Sequence, residues 1–365
     1  MLSHELDKQI SKINRIKFAN LPTPLHECAA LAKELNIKEL FIKREDLTGL
    51  AFGGNKVRHL EFRLGYIKKN NFDIIINANM GVSNNARLWA AAANLNNVKL
   101  VNIMSKELKT EMQGNHFLNH LMNVEIIYSD TRNEQILHQE AIEYGNKLKQ
   151  QGYKPYITVA EQYNEIAAVI SYLNTALELN KQFKKLGLKK IHIFQASGSS
   201  YLGLALAKKI LNLTHWKITG IGPRLQPRMR NIKGITNKAL NYLNKKSGNK
   251  FTLDFLDYKD LNWDLSFYGQ GYGIQTKKSI AAIKLLAEKE AIFLDPIYTG
   301  KAMSGLIEYA NSNKIDKDSS VVFIHSGGTP NLFTYSNELL ATAKLSKPLK
   351  KDFTKEALIR VKLDF

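Results

Sequence analysis

Short runs of β-branched residues alternate with helical patterns along most of this 365-residue chain. Helical patterns follow most of these runs, including one near residues 107–122. Strands that alternate with helices of this length are typical of right-handed βαβ units in mainly parallel sheets. We therefore predict an α/β fold, with strands within residues 38–46, 73–80, 98–105, 124–129, 191–200, 216–223 and 320–328. Ligands in such folds collect where strand ends meet glycine-rich turns.

Composition and charge exclude several classes of protein. A 44% hydrophobic content lets the chain bury a large core, as one large or two modest domains. The single cysteine, Cys28, excludes an internal disulfide framework, and the charged N-terminus lacks an apolar signal core, so a cytoplasmic location is expected. No apolar run approaches the roughly 20 residues of a membrane-spanning helix. We expect no membrane partner.

The net charge of +19 raises the question of a polyanionic partner. The lysines are mostly scattered doublets on what reads as a solvated surface, without zinc-finger spacing or an aromatic RNA-binding signature. We therefore expect no nucleic-acid partner and no metal ligand set. An anionic small ligand is a further reason for the basic charge.

A lysine on a glycine turn, in Gly53-Gly54-Asn55-Lys56, runs directly into an amphipathic segment. Considered alone, Lys56 would be interpreted as a surface lysine at the start of a helix. Three further turns, at residues 80–87, 195–205 and 325–330, are also expected at strand ends. In one of them Gly198, Ser199 and Ser200 can offer backbone N–H groups and hydroxyls to a phosphate at a helix N-terminus. An amine for an aldehyde and a cradle for a phosphate are together what pyridoxal phosphate requires.

Five segments, in order and spacing, make the chain similar to the D-cysteine desulfhydrase and 1-aminocyclopropane-1-carboxylate deaminase family of pyridoxal-phosphate enzymes. They are "KREDLTGLAFGGNKVRHLEF", "SNNAR", "SGSSYLGL", "GYGIQTKKSIAAIKLLAEKEAIFLDPIYTGKAMSGLIEY" and "VVFIHSGGTPNLFTY". The resemblance covers roughly residues 20–337. It implies the tryptophan-synthase-β type of fold (fold type II), with two domains, each a mainly parallel sheet flanked by helices. The expected large cofactor domain comprises residues 1–56 plus 170–365, and the small inserted domain comprises residues 57–169.

The resemblance also implies roles for individual residues. Lys56, beside Asn55, would be the Schiff-base lysine and the base at Cα of the substrate. Asn84 would bond the ring oxygen of pyridoxal phosphate and Ser83 would lie beside the substrate carboxylate. The phosphate would be held by Gly198, Ser199 and Ser200, where the family usually has Gly-Gly-Thr, and the two active-site tyrosines would be Tyr272 and Tyr298. Core packing with a satisfied hydroxyl is the alternative for both tyrosines.

Chemistry near the ring nitrogen separates two activities of the family. The deaminase branch has an acidic residue where this chain has Thr299, and Ser326 is a second neutral hydroxyl in "HSGG". A neutral partner gives a milder electron sink, which favours loss of a good leaving group from Cβ. The expected reaction is a D-cysteine desulfhydrase-like β-elimination giving pyruvate and ammonia. The alternatives are a 1-aminocyclopropane-1-carboxylate deaminase, a racemase, a β-replacement enzyme or a non-catalytic homologue, and the family implies a homodimer.

The chain departs from the family pattern in the loops expected to face the substrate. Val82 and Asn85 replace a usual glutamine and histidine. Asn79-Met80 replaces a common Gly-Gly pair, and residues 160–162 replace "GGS". We therefore predict that D-cysteine is a poor substrate and that the natural amino-acid substrate is larger or less polar, filling space beside Val82.

Overall fold

Two parallel-rich sheets form the framework of the protein. The structure is a computed structural model that describes residues 2–105, 112–196, 198–222, 231–247 and 256–341. The larger sheet has the order β1-β2-β10-β7-β8-β9, antiparallel only between β1 and β2. Its strands are β1 (Leu25–Glu27), β2 (Glu39–Lys43), β7 (Ile191–Ala196), β8 (Trp216–Ile221), β9 (Asn262–Asp264) and β10 (Ser320–Ile324).

The second sheet is wholly parallel and has four strands in the order β5-β4-β3-β6. They are β3 (Ile74–Asn79), β4 (Lys99–Ser105), β5 (Glu125–Ser129) and β6 (Pro155–Ile157). All four strands fall within the range 57–169 predicted for a small inserted domain. The predicted domain boundaries themselves stay a prediction, since the described residues up to Thr334 form one compact unit.

Helices follow most strands and cover the sheets. In that unit they are α1 (Leu2–Ser11), α2 (Ala29–Glu34), α3 (Lys56–Lys69), α4 (Asn84–Leu95), α5 (Gly114–Leu121), α6 (Glu134–Gln150), α7 (Tyr163–Lys185), α8 (Ser199–Ile210), α9 (Ile232–Ser247), α10 (Lys277–Glu290), α11 (Thr299–Asn311) and α12 (Asn331–Thr334). A second unit begins at Tyr335, and its described helix is α13 (Ser336–Ala341).

All seven predicted strands are present, as β2, β3, β4, β5, β7, β8 and β10. The pattern missed three strands, β1, β6 and β9, because each has only three residues and no periodicity can be read over that length. Of the helix predicted near residues 107–122, the described part is α5. Residues 106–111 lie outside the described part of the chain.

The centre of the core is α7, a 23-residue helix with buried residues on most of its faces. Such a helix must be surrounded by protein. It packs most closely on α8, where Gly203 has no room for a side chain: an added Cβ would lie 2.5 Å from Cβ of Tyr172 and 2.6 Å from the carbonyl of Val169. The close α7–α8 contact holds the N-terminal end of α8 in place.

The loop before α3 touches the loop after β10. The amide of Asn55 donates to the carbonyl of Ser326 at 3.1 Å. A Cβ added to Gly327, which has φ of +87°, would lie 2.6 Å from Cα of Gly54, so only glycine allows this approach. Lys56 is thereby fixed beside the carboxyl end of the large sheet.

Candidate active site

A cavity of about 460 Å³ lies where β3 and β7 end and where the loops before α3 and after β10 meet. Nine of the eleven residues predicted from sequence line it: Asn55, Lys56, Ser83, Gly198, Ser199, Ser200, Tyr272, Tyr298 and Ser326. Asn84 and Thr299 do not line it, and their predicted contacts stay predictions. Parallel strands end at one edge, which explains how turns far apart in sequence meet here.

Lys56 is the first residue of α3, and its side chain is half-buried in the cavity wall. Its Nζ lies 3.2 Å from Oδ1 of Asn55 and 5.5 Å from the ring centre of Tyr298. Nδ2 of Asn55 donates to Oγ of Ser200 at 2.8 Å. One amide therefore orients both the lysine and the first turn of α8.

The N-terminus of α8 forms another part of the cavity wall. Gly198 precedes the helix with φ of +147°, and a Cβ built there would meet no atom of the described residues within 4 Å, so these leave the space in front of the helix open. The first N–H groups of a helix have no partner within the helix and favour an anion. This arrangement suits a phosphate.

His59, one turn beyond Lys56, was missed from sequence, although the spacing i, i+3 on α3 was a readable signal. Its Nε2 lies 3.0 Å from Oγ of Ser200. Burial, with Arg63 and Lys56 nearby, lowers the pKa of His59 well below its ordinary range, so the ring is neutral at pH 7. With Nε2 as acceptor the Ser200 hydroxyl donates to His59. With Nε2 protonated, the hydroxyl hydrogen is left for a ligand oxygen.

Tyr272 and Tyr298 face each other across the cavity wall. Their hydroxyl oxygens are 2.9 Å apart, and the rings meet edge-on with centres 5.9 Å apart. Both side chains are half-buried. The pair therefore puts two tyrosines with mutually bonded hydroxyls in the cavity that Lys56 also lines.

Behind the cavity, Asn84 belongs to a buried amide cluster. Nδ2 of Asn115 lies 2.7 Å from Oδ1 of Asn84 and 2.9 Å from Oδ1 of Asn331. Arg87, fully buried, donates to Asn115 and, at 2.9 Å, to the carbonyl of Gly53. Burial lowers the pKa of Arg87 to about 10. The cluster ties the start of α4 to the loop that carries Lys56, and sequence reasoning gave no sign of it.

Thr299 is fully buried and bonded within its own turn. The amide of Asp295 donates to its Oγ1 at 2.7 Å, and its own amide donates to Oδ1 of Asp295 at 2.7 Å. Burial raises the pKa of Asp295, although the N–H groups of Thr299, Tyr298 and Ile297 act in the opposite direction. Asp295 does not line the cavity, so Ser326 is the hydroxyl that this side of the cavity presents.

The loop between β3 and α4 forms a third wall. Ser83 caps α4 and donates to Oδ1 of Asn79 at 3.0 Å, and Nδ2 of Asn85 reaches the same oxygen at 3.1 Å. Nδ2 of Asn79 is buried without a hydrogen-bond partner. Val82 is buried and does not line the cavity, so the space predicted beside it is not part of this site. Three polar side chains remain for a substrate carboxylate.

Carboxylates also line the cavity, and of these the sequence patterns singled out the position of Glu161 but not Glu134 or Glu165. Glu134, Glu161 and Glu165 line it together with Arg63. Burial raises the pKa of Glu161, which stands where the family pattern has a small residue. The three carboxylates and Arg63 give the lining of the cavity a mixed charge.

A model of a pyridoxal-phosphate dependent enzyme family matches residues 16–327. The chain belongs to this family. The protein is therefore an enzyme whose cofactor is pyridoxal phosphate, as predicted from the lysine and the phosphate cradle. Among the described residues, no helix is both long and apolar enough to cross a bilayer.

Similar proteins span nearly the whole chain. A Pyrococcus abyssi protein that carries the provisional name 1-aminocyclopropane-1-carboxylate deaminase is 33% identical over 339 residues, covering 92% of this chain and 98% of its own. A D-cysteine desulfhydrase of Klebsiella pneumoniae is 28% identical over 340 residues, covering 91% and 99%. A crystal structure of an ACC deaminase homologue superposes with a TM-score of 0.80 at 27% identity, covering 92% and 98%. The predicted tryptophan-synthase-β-like fold class is confirmed.

The residues of the cavity fit this cofactor. The open space before Gly198 can take a phosphate against the α8 N-terminus, and Lys56 offers an amine in the same cavity. Ser326 offers a hydroxyl on the β10 side. An anion site, an amine and a neutral polar wall are what the phosphate, aldehyde and ring of pyridoxal phosphate need.

Proposed function

We propose that this enzyme catalyses β-elimination from a small β-substituted amino acid, a D-cysteine desulfhydrase-like reaction that gives pyruvate and ammonia. One observation carries the proposal: Lys56 and the α8 N-terminus share a cavity whose β10 side presents the hydroxyl of Ser326, while Asp295 is buried outside it. A neutral side chain near the ring suits departure of a good leaving group from Cβ. The relatives named D-cysteine desulfhydrase support it.

Lys56 has two roles in this proposal, the covalent link to the aldehyde carbon of the cofactor and removal of the Cα proton. The bound cofactor withdraws electrons from Cα, which lets that proton leave. Oδ1 of Asn55, 3.2 Å from Nζ, directs the lysine. We assign protonation of the departing sulfur to the hydroxyl pair of Tyr272 and Tyr298, because both tyrosines line the same cavity as Lys56.

Binding roles follow from the walls. Gly198, Ser199 and Ser200 hold the phosphate at the α8 N-terminus, and Ser83 with its neighbours takes the substrate carboxylate. We assign Asn84 and Thr299 to the support of these walls, the first through Asn115 and the second through Asp295. A homodimer and a cytoplasmic location belong to the proposal as properties implied by the family resemblance.

Cyclopropane opening is the second candidate, because the Pyrococcus abyssi relative and the ACC deaminase homologue carry that name. Racemisation and β-replacement use the same lysine, and a non-catalytic homologue would bind cofactor without turnover. Product analysis on D- and L-cysteine, β-chloro-D-alanine and 1-aminocyclopropane-1-carboxylate separates these. Pyruvate from the β-substituted substrates supports the proposal, and 2-oxobutyrate from the cyclopropane without any pyruvate refutes it.

The role of Lys56 has its own test. Borohydride reduction of the yellow enzyme should fix the cofactor on Lys56, located by peptide mapping. Lys56→Ala should abolish both the adduct and turnover. Lys68→Ala, an exposed change on the same helix, is the matched control and should leave both unchanged. An adduct on another lysine would contradict the assignment.

A further inference from the structure

The structure brings together three metal-ligating side chains on the large sheet that the cofactor site does not use. His26 is in β1, Cys28 follows that strand, and Glu290 ends α10. One ligand atom from each lies within 4.8 Å of the other two. Among the described residues this is the one such group of histidine, cysteine and acidic side chains.

We propose that His26, Cys28 and Glu290 bind a divalent cation of the zinc type, with water at a fourth position. Zn²⁺ takes imidazole nitrogen, thiolate sulfur and carboxylate oxygen at about 2.0–2.3 Å, which puts neighbouring ligand atoms about 3.3–3.8 Å apart in a tetrahedral site. The ligand atoms of His26, Cys28 and Glu290 lie up to 4.8 Å apart, which is about 1 Å more than in such a site. Rotation of the exposed His26 ring can supply that difference, and its exposure gives the ion a path from solvent.

Two of the three ligands are already held in place. The amide of Cys28 donates to the carbonyl of Leu40 at 2.8 Å, and its carbonyl accepts from the amide of Ala32 at 2.9 Å. Oε1 of Glu290 accepts from the amide of Leu31 at 2.7 Å, which leaves Oε2 as the ligand atom. Oriented ligands of this kind raise metal affinity because less freedom is lost on binding.

The local charge favours a cation. The carboxylates of Glu290 and Glu27 lie near the Cys28 thiol. Arg44 opposes them, but it forms an ion pair with Asp46 at 2.7 Å. The neutral thiol becomes a ligand by losing its proton to solvent, so each cation bound releases one proton. A thiolate and an imidazole select zinc, cobalt or cadmium over magnesium or calcium.

The site would act as a clip on the large sheet. Glu290 is the last residue of α10, and residues 291–298 lead from it to Tyr298 in the cavity wall. A cation at Glu290 would fasten the start of that segment to β1. We therefore expect bound metal to raise the melting temperature of the enzyme.

The test uses the enzyme with its cofactor bound, stripped with EDTA, incubated with zinc and passed through gel filtration. We expect one zinc per chain by elemental analysis, a higher melting temperature, and a sulfur-to-metal charge-transfer band when cobalt replaces zinc. Cys28→Ser, His26→Ala and Glu290→Gln should each weaken retention by about tenfold or more. Glu290→Gln can keep the bond from Leu31, so it tests the ligand with little risk to the fold.

His120→Ala is the matched control, because His116 and His120 form a separate surface pair on α5 that can also attract metal. It should leave the cobalt–sulfur band and the thermal shift unchanged. Zinc retained equally by wild type, Cys28→Ser and Glu290→Gln would mean an adventitious ion only and would overturn the proposal. So would a wild-type enzyme that retains no zinc. Neither result bears on the proposed elimination, which does not use this site.

Discussion

Replacing Arg58 with methionine should destabilise the enzyme strongly, because Arg58 is the centre of a buried ion network two residues after Lys56. Its Nε and Nη2 donate to Glu45 at 2.5 and 2.8 Å, and Nη1 and Nη2 donate to Glu178 at 3.0 and 2.9 Å. Lys43 pairs with Glu178 from the other side. Arg58 and Glu45 have almost no exposed surface. The change therefore leaves a buried carboxylate, Glu45, without its cation.

Breaking a buried pair by removing one partner costs about 3–5 kcal/mol. Proteins unfold with only about 5–15 kcal/mol in total. With an unfolding entropy of about 2.1 cal/mol/K per residue, each kcal/mol shifts the Tm of a 365-residue chain by about 1.3 °C, so a fall of about 4–7 °C is expected in Arg58→Met. Lys278→Met, which removes an exposed pair with Glu308, is the control and should leave Tm unchanged.

The network also predicts how acid acts. Hydrogen bonds and charge from Arg58, with Lys43, hold the pKa of Glu178 at about 2 against burial, from an ordinary value of 4.5. Because the pKa of Glu178 is lower in the folded protein, its ionised carboxylate contributes its full stabilisation above the ordinary value. That contribution is lost as pH falls from about 4.5 towards 2. Urea unfolding across this range should give a shallower pH dependence in Arg58→Met. If Arg58→Met had the same Tm and the same pH dependence of unfolding as the wild type, the network would contribute little to stability. Arg58→Lys, which keeps the charge, covers the case in which methionine prevents folding.

Three further changes test the cavity and its support. Ser200→Ala should weaken cofactor binding about tenfold to a hundredfold in equilibrium dialysis, since a hydrogen bond to a charged group contributes about 1.5–3 kcal/mol, and Ser200→Thr should retain binding. Gly203→Ala should lower stability to urea by about 1–3 kcal/mol through overpacking against Tyr172; an unchanged midpoint would contradict the close α7–α8 contact. Asn85→His should alter D-cysteine turnover because Asn85 lines the cavity, whereas Val82→Gln should add nothing specific to it. If Val82→Gln alone changed the steady-state turnover of D-cysteine, Val82 would have to contact the substrate, against this expectation.

The sequence predicted seven of the ten described strands because buried strands leave a local signal, and the family resemblance named nine residues that line one cavity. Runs of β-branched residues mark buried strands, and glycines such as Gly53-Gly54 mark a turn, here the one before α3. The amide cluster around Asn115 could not be predicted, since Asn115 and Asn331 are 216 positions apart and neither follows a motif. Val82 was misplaced for a related reason: position in a loop does not tell which side chains face the cavity.

The arrangement of basic residues on α3 gives independent support for the role of Lys56. Arg58 is neutralised by Glu45 and Glu178, Arg63 donates twice to the carbonyl of Asn164, and His59 is kept neutral by burial. Lys56 lines the cavity together with the N-terminal residues of α8. An amine and a helix N-terminus both favour an anion in this cavity, even though Glu134, Glu161 and Glu165 also line it. The phosphate of the family's cofactor would be that anion. The enzyme stripped of cofactor should therefore bind inorganic phosphate in the same cavity. Ser200→Ala should weaken that binding as well.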